Sequence, residues 1–185
     1  MLSAIKITAP FDDKVIQSLK AGDRVLISGT IYAARDAAHK RMIESLDEGK
    51  ELPINIKGAV IYYVGPTPAK PGQVIGSAGP TTSGRMDKYT PTLLGMGLKG
   101  MIGKGYRSED VINSIEENKA VYLAAIGGTG ALLARTIKKV EVVAYEDLGT
   151  EAIRQIVVED FPAIVINDSY GDDWYKKGVE TYKQH

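Results

Sequence analysis

The residues best suited to chemistry lie in one glycine-rich segment, 76–87, which reads Gly-Ser-Ala-Gly-Pro-Thr-Thr-Ser-Gly-Arg-Met-Asp. It places two adjacent hydroxyls, those of Thr81 and Thr82, near the guanidinium of Arg85. The ammonium of Lys104 follows on a second segment that is flanked by glycines. Arginine offers a planar fork to a carboxylate, and glycine lets backbone N–H groups approach a ligand closely. The two segments together are therefore typical of a site for a small, multiply charged anion.

The same residues also allow a purely structural interpretation. A glycine-rich turn whose threonine hydroxyls satisfy local backbone groups needs no ligand at all. Threonine hydroxyls are poor bases unless the site activates them, so a catalytic role for Thr82 requires a strong electrostatic or metal partner. This sequence encodes no such partner, and the residues alone leave both interpretations open.

Composition limits the class of protein. The chain has 185 residues, of which 44% are apolar and 25% charged, which fits a single folded domain and argues against a disordered or fibrous chain. Basic and acidic residues balance at 23 each, so no overall basic field is available to hold a nucleic acid. No apolar run approaches the roughly 20 residues that span a bilayer, and the first residues lack the pattern of a signal peptide. We therefore expect a cytoplasmic protein.

Cysteine is absent, and histidine occurs only at His39 and His185. Disulfides, thiolate-bound zinc and a self-contained iron–sulfur cluster are therefore excluded for this chain. If the protein works with a soft metal centre, another chain must supply the ligands.

Hydrophobic periodicity predicts the elements that position these residues. The predicted strands are 5–7, 24–31 with an interruption at Gly29, 59–64, 100–102, 120–126, 140–145, 153–158 and 163–166. The predicted helices are 13–19, 35–46, 90–96, 109–118 after an N-cap at Ser108, and 130–137, with 172–185 as a terminal helix or frayed end. Strands alternate with helices in the middle of the chain and dominate both ends, which indicates a single mixed α/β or β/β/α domain.

Two nucleotide-binding patterns fail on inspection. A dinucleotide motif that starts at Gly128 would need glycine where Leu133 stands, so a tight turn between strand and helix is favoured. A P-loop that ends at Lys104 would need glycine at Leu98 and a hydroxyl residue at Gly105.

Two further groups have chemistry to offer. Asp168, Asp172 and Asp173 could bind a hard cation, but their spacing does not match an EF-hand, and a solvated acidic turn is favoured. His39 could act as a general base, although on an ordinary helix a structural hydrogen bond is the favoured role. Arg35 lies four residues before His39, so the two share one helix face.

Four segments carry a family resemblance. They read Gly-Pro-Thr-Thr-Ser-Gly-Arg-Met at 79–86, Met-Ile-Gly-Lys-Gly at 101–105, Arg-Asp-Ala-Ala-His-Lys-Arg at 35–41 and Val-Glu-Asp-Phe-Pro-Ala at 158–163. Together they resemble the β subunit of class I fumarate hydratase, which corresponds to the C-terminal domain of single-chain class I fumarases. They are also similar to the β subunit of L(+)-tartrate dehydratase. The resemblance covers nearly the whole chain, and Gly-Pro-Thr-Thr is its most specific block.

The resemblance implies a swivelling β/β/α domain over residues 1–185 that pairs with a larger α subunit, and it allows an α2β2 assembly that contains a homodimer of this chain. In that family a [4Fe–4S] cluster is bound through cysteines of the α subunit, and this chain holds no metal. The implied substrate ligands are Arg35, Thr81, Arg85 and Lys104. Thr82 is the implied acid/base residue at carbon, assisted by a carboxylate of the α subunit. The implied reaction is the reversible hydration of fumarate to (S)-malate.

The choice of substrate rests on few residues. Gly84 followed by Arg85-Met86-Asp87 looks closer to the fumarase pattern, because tartrate enzymes tend to carry Ala and Asn at the corresponding places. A tartrate dehydratase β subunit, which would convert tartrate to oxaloacetate, is the first alternative. A non-catalytic module that binds an organic anion and regulates or scaffolds a partner is the second.

Overall fold

The computed structural model describes residues 4–125 and 130–182, and in that part of the chain seven strands form one sheet. The strands are β1 (Ile5–Ala9), β2 (Arg24–Ala33), β3 (Val60–Tyr62), β4 (Gly100–Gly103), β5 (Val121–Ala125), β6 (Ile137–Ala144) and β7 (Ile153–Asn167). The α-helices are α1 (Asp13–Ser18), α2 (Asp36–Asp47), α3 (Thr90–Gly95), α4 (Glu109–Glu117), α5 (Gly130–Thr136) and α6 (Trp174–Tyr182). Two 3-10 helices cover Ser83–Met86 and Glu146–Glu151.

Five of these strands close into a barrel. The neighbours follow the order β2-β3-β4-β5-β7, and β7 returns to pair with β2. Strands β2, β3, β4 and β5 run parallel to one another. Strand β7 runs antiparallel to both of its barrel neighbours, β2 and β5. Strand β1 pairs with residues 25–29 of β2, before the residues that pair with β3, and β6 pairs with β7. This barrel with surrounding helices confirms the predicted mixed α/β fold.

Alternating side chains of the strands divide the core into two clusters, as the period of a strand requires. On β3, Val60 and Tyr62 pack with side chains of β2, β5 and β7. Ile61, between them, packs with the apolar faces of α2, α3 and α4. Helices α2, α3 and α4 therefore cover one face of the sheet, whereas Ile16 of α1 and Leu133 of α5 belong to the other cluster.

Most predicted elements are found within three residues of their predicted bounds. Ser108 caps α4 as predicted, because its hydroxyl accepts a hydrogen bond from the N–H of Val111 at 3.4 Å. The tail forms helix α6 from Trp174. The predictions that concern 126–129 and 183–185 lie outside the described residues.

The predicted break between 153–158 and 163–166 is wrong, because β7 is one strand of 15 residues. Pro162 suggested an interruption, but it lies opposite Leu26 in the ladder between β7 and β2. The extra residues form a bulge at Asp160, which has a φ of +50° and donates its N–H to Ser28 Oγ at 3.0 Å. A bulge of this kind bends a strand without ending it.

Strand β2 is likewise continuous through Gly29, where an interruption was expected. Gly29 has a φ of +106°, and a Cβ there would lie 2.3 Å from the carbonyl oxygen of Ala9. Glycine therefore keeps the strand intact where it crosses β1 closely. None of the helices in the described part of the chain has the length and apolar character of a membrane span.

Candidate active site

The Thr-Thr segment joins the sheet beside the end of β4. The N–H of Thr81 donates to the carbonyl of Tyr63 at 2.7 Å, and the N–H of Ser83 donates to the carbonyl of Lys104 at 2.9 Å. Thr82 and Lys104 form a parallel bridge between these two bonds. Residues that lie more than twenty positions apart in the sequence are therefore side by side.

Two glycines make this close approach possible. A Cβ on Gly103 would lie 2.0 Å from Ser83 Oγ, so only glycine leaves room for that hydroxyl. Gly105 has a φ of +84°, a conformation that favours glycine. The glycines of the second segment thus serve contact between protein segments, whereas the sequence suggested approach to a ligand.

The polar side-chain groups of Thr81, Thr82 and Lys104 make no contact with other polar groups of the described residues. Thr82 and Lys104 are exposed, and Thr81 is half-buried. Within the described residues, the hydroxyls of Thr81 and Thr82 and the ammonium of Lys104 take part in no hydrogen bond or ion pair. Threonines that stabilised a turn would bond to local backbone groups. The hydroxyls of Thr81 and Thr82 make no such bond in the described residues and are therefore available to a ligand.

The two arginines lie in a chain of ion pairs at the start of α2. A nitrogen of Arg85 lies 2.5 Å from Asp36 Oδ2. Arg35, the residue before α2, places its Nε 3.4 Å from Asp36 Oδ1 and 3.5 Å from Glu151 Oε1. The side chain of Arg35 crosses Gly65, where a Cβ would lie 2.8 Å from its Cδ.

The carboxylate of Asp36 is held in its charged form. Burial by itself would raise its pKa, but a hydrogen bond from its own backbone and the charges of Arg85 and Arg35 lower the pKa below the usual 3.8. Asp36 therefore stays ionised at neutral pH and orients both guanidinium groups.

The local charge is consequently smaller than the sequence suggested. Arg35 and Arg85 face the carboxylates of Asp36 and Glu151, whereas Lys104 has no carboxylate partner among the described residues. Sequence reasoning missed both acids. Asp36 adjoins Arg35 and could have been noticed, but nothing in the sequence indicates that Glu151 lies near a residue more than a hundred positions away.

Comparison with known proteins identifies the family. The family model described as Fumarase C-terminus matches residues 2–178. The chain belongs to the fumarase C-terminus family. It is 46% identical over 158 residues to "Fumarate hydratase class I, anaerobic" of Escherichia coli, which covers 84% of this chain. It is 42% identical over 170 residues to "Fumarate hydratase 2" of Leishmania major, which covers 89% of this chain.

A third relative has a different length. The "Putative L(+)-tartrate dehydratase subunit beta" of Methanocaldococcus jannaschii is 38% identical over 170 residues, which make up 89% of this chain and 87% of the relative. The fumarase C-terminus chain spans only 29% of the Escherichia coli protein and 30% of the Leishmania protein. The fumarate hydratases are thus about three times longer than the region that they share with it.

An ion pair between the buried Arg107 and the partly buried Asp87 lies next to the site of this fumarase C-terminus chain. Arg107 donates from Nε to Asp87 Oδ1 at 2.7 Å and from Nη2 to Thr90 Oγ1 at 2.9 Å. The other oxygen of Asp87 accepts the N–H of Ser108 at 2.6 Å. Removal of Asp87 would leave the buried guanidinium of Arg107 without its counter-ion, which costs about 3–5 kcal/mol. The pair fixes the 3-10 helix that contains Arg85, and sequence analysis missed it because nothing marks Arg107 as buried.

His39 is a buried structural residue in this chain. Its Nδ1 lies 2.8 Å from the carbonyl oxygen of Arg35, so Nδ1 carries the proton of the neutral ring. Its ring packs edge-on against Tyr63 at a centroid distance of 5.4 Å. Burial, reinforced by the charge of Arg107, lowers the pKa of His39 from 6.5 to about 4. The favoured structural role is therefore supported, since the side chain is inaccessible to substrate.

The expectation of a solvated acidic turn at Asp168 is wrong. Asp168 and Asp173 are buried. Asp168 accepts the N–H of Ala21 at 2.9 Å and those of Tyr170 and Asp172 at 3.0 and 3.1 Å. These bonds satisfy its carboxylate with backbone donors. Across the described ranges, no three His, Cys, Asp or Glu side chains are grouped so that they could hold a metal ion.

We predict that His39 makes this chain sensitive to acid. Its pKa in the folded state, about 4, lies below the value of 6.5 for the unfolded chain, so stability is complete above pH 6.5 and declines as the pH falls toward 4. Between pH 7.5 and 4.5 the loss in the free energy of unfolding should be about 2–3 kcal/mol.

Denaturant titrations of the wild type and of His39→Gln across this pH range provide the measurement. The variant lacks the titrating ring, so its stability should decline less by that amount. Parallel pH profiles for the two proteins would contradict the assignment.

Proposed function

We propose that this chain is the β subunit of a class I fumarate hydratase and supplies the substrate-binding half of its active site. The reaction would be the reversible hydration of fumarate to (S)-malate. One observation carries the proposal. In a chain of the fumarase C-terminus family, the unpaired hydroxyls of Thr81 and Thr82 lie on the segment that also carries Arg85, beside the unpaired ammonium of Lys104 on the bridged segment.

Each cation has a task in this proposal. Asp36 engages one nitrogen of Arg85, which leaves further N–H donors of the same guanidinium for a substrate carboxylate. Lys104 offers its ammonium to the substrate. Arg35, which contacts the other oxygen of Asp36, adds positive charge to the site. Together the three cations and the two carboxylates of Asp36 and Glu151, which pair with Arg35 and Arg85, leave one net positive charge for a doubly charged substrate. In this proposal the partner contributes the remaining positive charge.

Thr82 would act at carbon. Removal of a proton next to a carboxylate puts negative charge onto that carboxylate, and positioned cations such as Arg85 and Lys104 lower the energy of this state. A threonine hydroxyl has little basicity of its own, so a carboxylate of the α subunit would assist Thr82. The exposure of the Thr82 hydroxyl supports this role, because a second subunit can reach it.

The cofactor of the proposed enzyme does not fit this chain. A [4Fe–4S] cluster is bound through cysteine thiolates, and this chain contains no cysteine. We therefore assign the cluster to a cysteine-bearing α subunit. An α2β2 assembly, a swivelling motion of this domain against the α subunit and a cytoplasmic location complete the proposal.

A tartrate dehydratase β subunit is the second candidate function. The relative from Methanocaldococcus jannaschii favours it, because this chain matches 87% of that β subunit. The sequence Gly-Arg-Met-Asp at 84–87 favours fumarate instead. A non-catalytic module that binds organic anions and regulates a partner would use the same exposed edge without turnover.

One mixing experiment separates these three candidates. The chain is combined anaerobically with a cysteine-bearing α partner, and fumarate hydration and tartrate dehydration are assayed. We expect fumarate hydration to appear only in the mixture. Tartrate dehydration as the main activity would replace fumarase with the second candidate. Ligand binding without turnover would establish the non-catalytic module.

Arg85→Lys should lower kcat/KM of the mixed enzyme about 10- to 100-fold. The charge remains, but the paired N–H donors of the guanidinium are lost, and a hydrogen bond to a charged group contributes about 1.5–3 kcal/mol. Arg41→Lys is the matched control, since Arg41 also pairs with an aspartate, Asp147, at 2.7 Å. The control should retain wild-type kinetics. Wild-type kcat/KM in Arg85→Lys would rule out the carboxylate contact.

Thr82→Ala should reduce kcat about 100- to 10,000-fold, the usual contribution of a positioned acid or base. Cluster content of the partner and assembly of the complex should stay unchanged, because Thr82 is exposed and supports no core contact. Thr92→Ala, at an exposed position of α3, serves as the control for a threonine truncation. A normal turnover rate in Thr82→Ala would remove this residue from the mechanism.

A further inference from the structure

A pair of hydroxyls lies beneath the two segments that carry Thr82 and Lys104. The hydroxyl of Tyr122 donates to the carbonyl of Gly105 at 2.9 Å and lies 2.9 Å from Ser83 Oγ. Ser83 follows Thr82 in the chain, and Gly105 follows Lys104. One side chain therefore touches the residue after each of the two candidate site residues.

The direction of these bonds follows from counting protons. A carbonyl only accepts, so the single hydroxyl proton of Tyr122 points to Gly105. Ser83 must then donate its own proton to the oxygen of Tyr122. Both hydroxyls are thereby used in one ordered sequence, from Ser83 through Tyr122 to Gly105, and neither is free to rotate toward another partner.

Tyr122 is itself held rigidly. Its exposed fraction is 0%, and its backbone pairs with Met101 of β4. The guanidinium carbon of Arg107 lies 4.9 Å from the centre of its ring. The backbone of Tyr122 is therefore fixed by the sheet, and its ring lies next to the buried guanidinium of Arg107.

The position of Ser83 is limited from the opposite direction by Gly103. The Ser83 hydroxyl occupies the space that a Cβ of Gly103 would need, at 2.0 Å. Ser83 consequently rests on β4 while its oxygen bonds to β5. Through Ser83, the bridge between Thr82 and Lys104 therefore packs on β4 and bonds to β5.

We propose that Tyr122 is a positioning residue, whose hydroxyl fixes Thr82 relative to Lys104 by joining Ser83 to Gly105. Tyr122 is buried and does not contact substrate. Its effect on turnover rests on the proposed function, whereas its effect on the geometry of the bridge does not. Misplacement of a reacting group by about 1 Å can cost about 100-fold in rate, so a clamp of this kind affects kcat more than KM.

The geometric part is tested on the full chain by amide hydrogen exchange. Tyr122→Phe removes one oxygen and keeps the ring. The N–H of Ser83, which donates to the carbonyl of Lys104, should exchange at least tenfold faster in this variant. Ser83→Ala should speed exchange at this position similarly, because it removes the same bond from the other side.

Tyr62→Phe is the matched control. Tyr62 is equally buried, and its hydroxyl donates to the carbonyl of Ala78, outside the bridge. Exchange at Ser83 should stay as in the wild type when Tyr62 loses its hydroxyl. An unchanged exchange rate in Tyr122→Phe, or an equal increase in Tyr62→Phe, would overturn the proposal that Tyr122 fixes the bridge.

The catalytic part is tested in the mixed enzyme. Tyr122→Phe should lower kcat about 10- to 100-fold with less than a threefold change in KM, and Tyr62→Phe should change neither parameter by more than about twofold. Because Tyr122 and Ser83 act through one bond, the double variant should be no slower than the slower single variant. Multiplying effects, or an unchanged kcat in Tyr122→Phe, would reject the positioning role. A mixture without any activity would refute the proposed function, and hydrogen exchange at Ser83 would then decide alone whether the clamp exists.

Discussion

The pairing of β7 with β2 is the constraint on which the rest of the structure depends. It closes five strands into a barrel, and it leaves β1 and β6 as the outer strands of the sheet. Because the barrel is closed, β3, β4 and β5 have fixed positions. These three strands are parallel, so the loops that follow them emerge at one edge of the barrel. The candidate site lies on that edge, so its geometry follows from a strand that contributes no residue to it.

The site combines satisfied and unsatisfied polar groups in a regular way. Arg107 is buried and Asp87 is partly buried, and their charged groups bond to each other and to nearby donors and acceptors. Thr82 and Lys104 are exposed, and their side-chain polar groups have no partner among the described residues. Buried polar groups have to be paired to avoid a large desolvation cost, and exposed ones do not. The division shows which groups maintain the fold and which are available to a ligand.

The sequence was sufficient for most elements because their periodicity is strong and their caps are local. The pairing of Thr82 with Lys104 was also within reach, since glycine-rich segments after neighbouring strands tend to meet. Three features were not accessible. The bulge at Asp160 depends on its partner strand, and the contact of Glu151 with Arg35 is distant in sequence. The burial of Asp168 follows from backbone donors such as the N–H of Ala21, and no side-chain pattern signals it.

The ion pair of Asp36 with Arg85 also bears on selectivity. Asp36 presents a carboxylate to the same guanidinium that a substrate carboxylate would approach, and it is ionised at neutral pH. In the proposed site, a monoanion would find only the remaining donors of Arg85, because the carboxylate of Asp36 is tethered and therefore present at a high effective concentration. A dianion that also reaches Lys104 gains a second contact that Asp36 does not make. In the proposed site, the internal carboxylate would thus favour dicarboxylates over the abundant monocarboxylates of a cell.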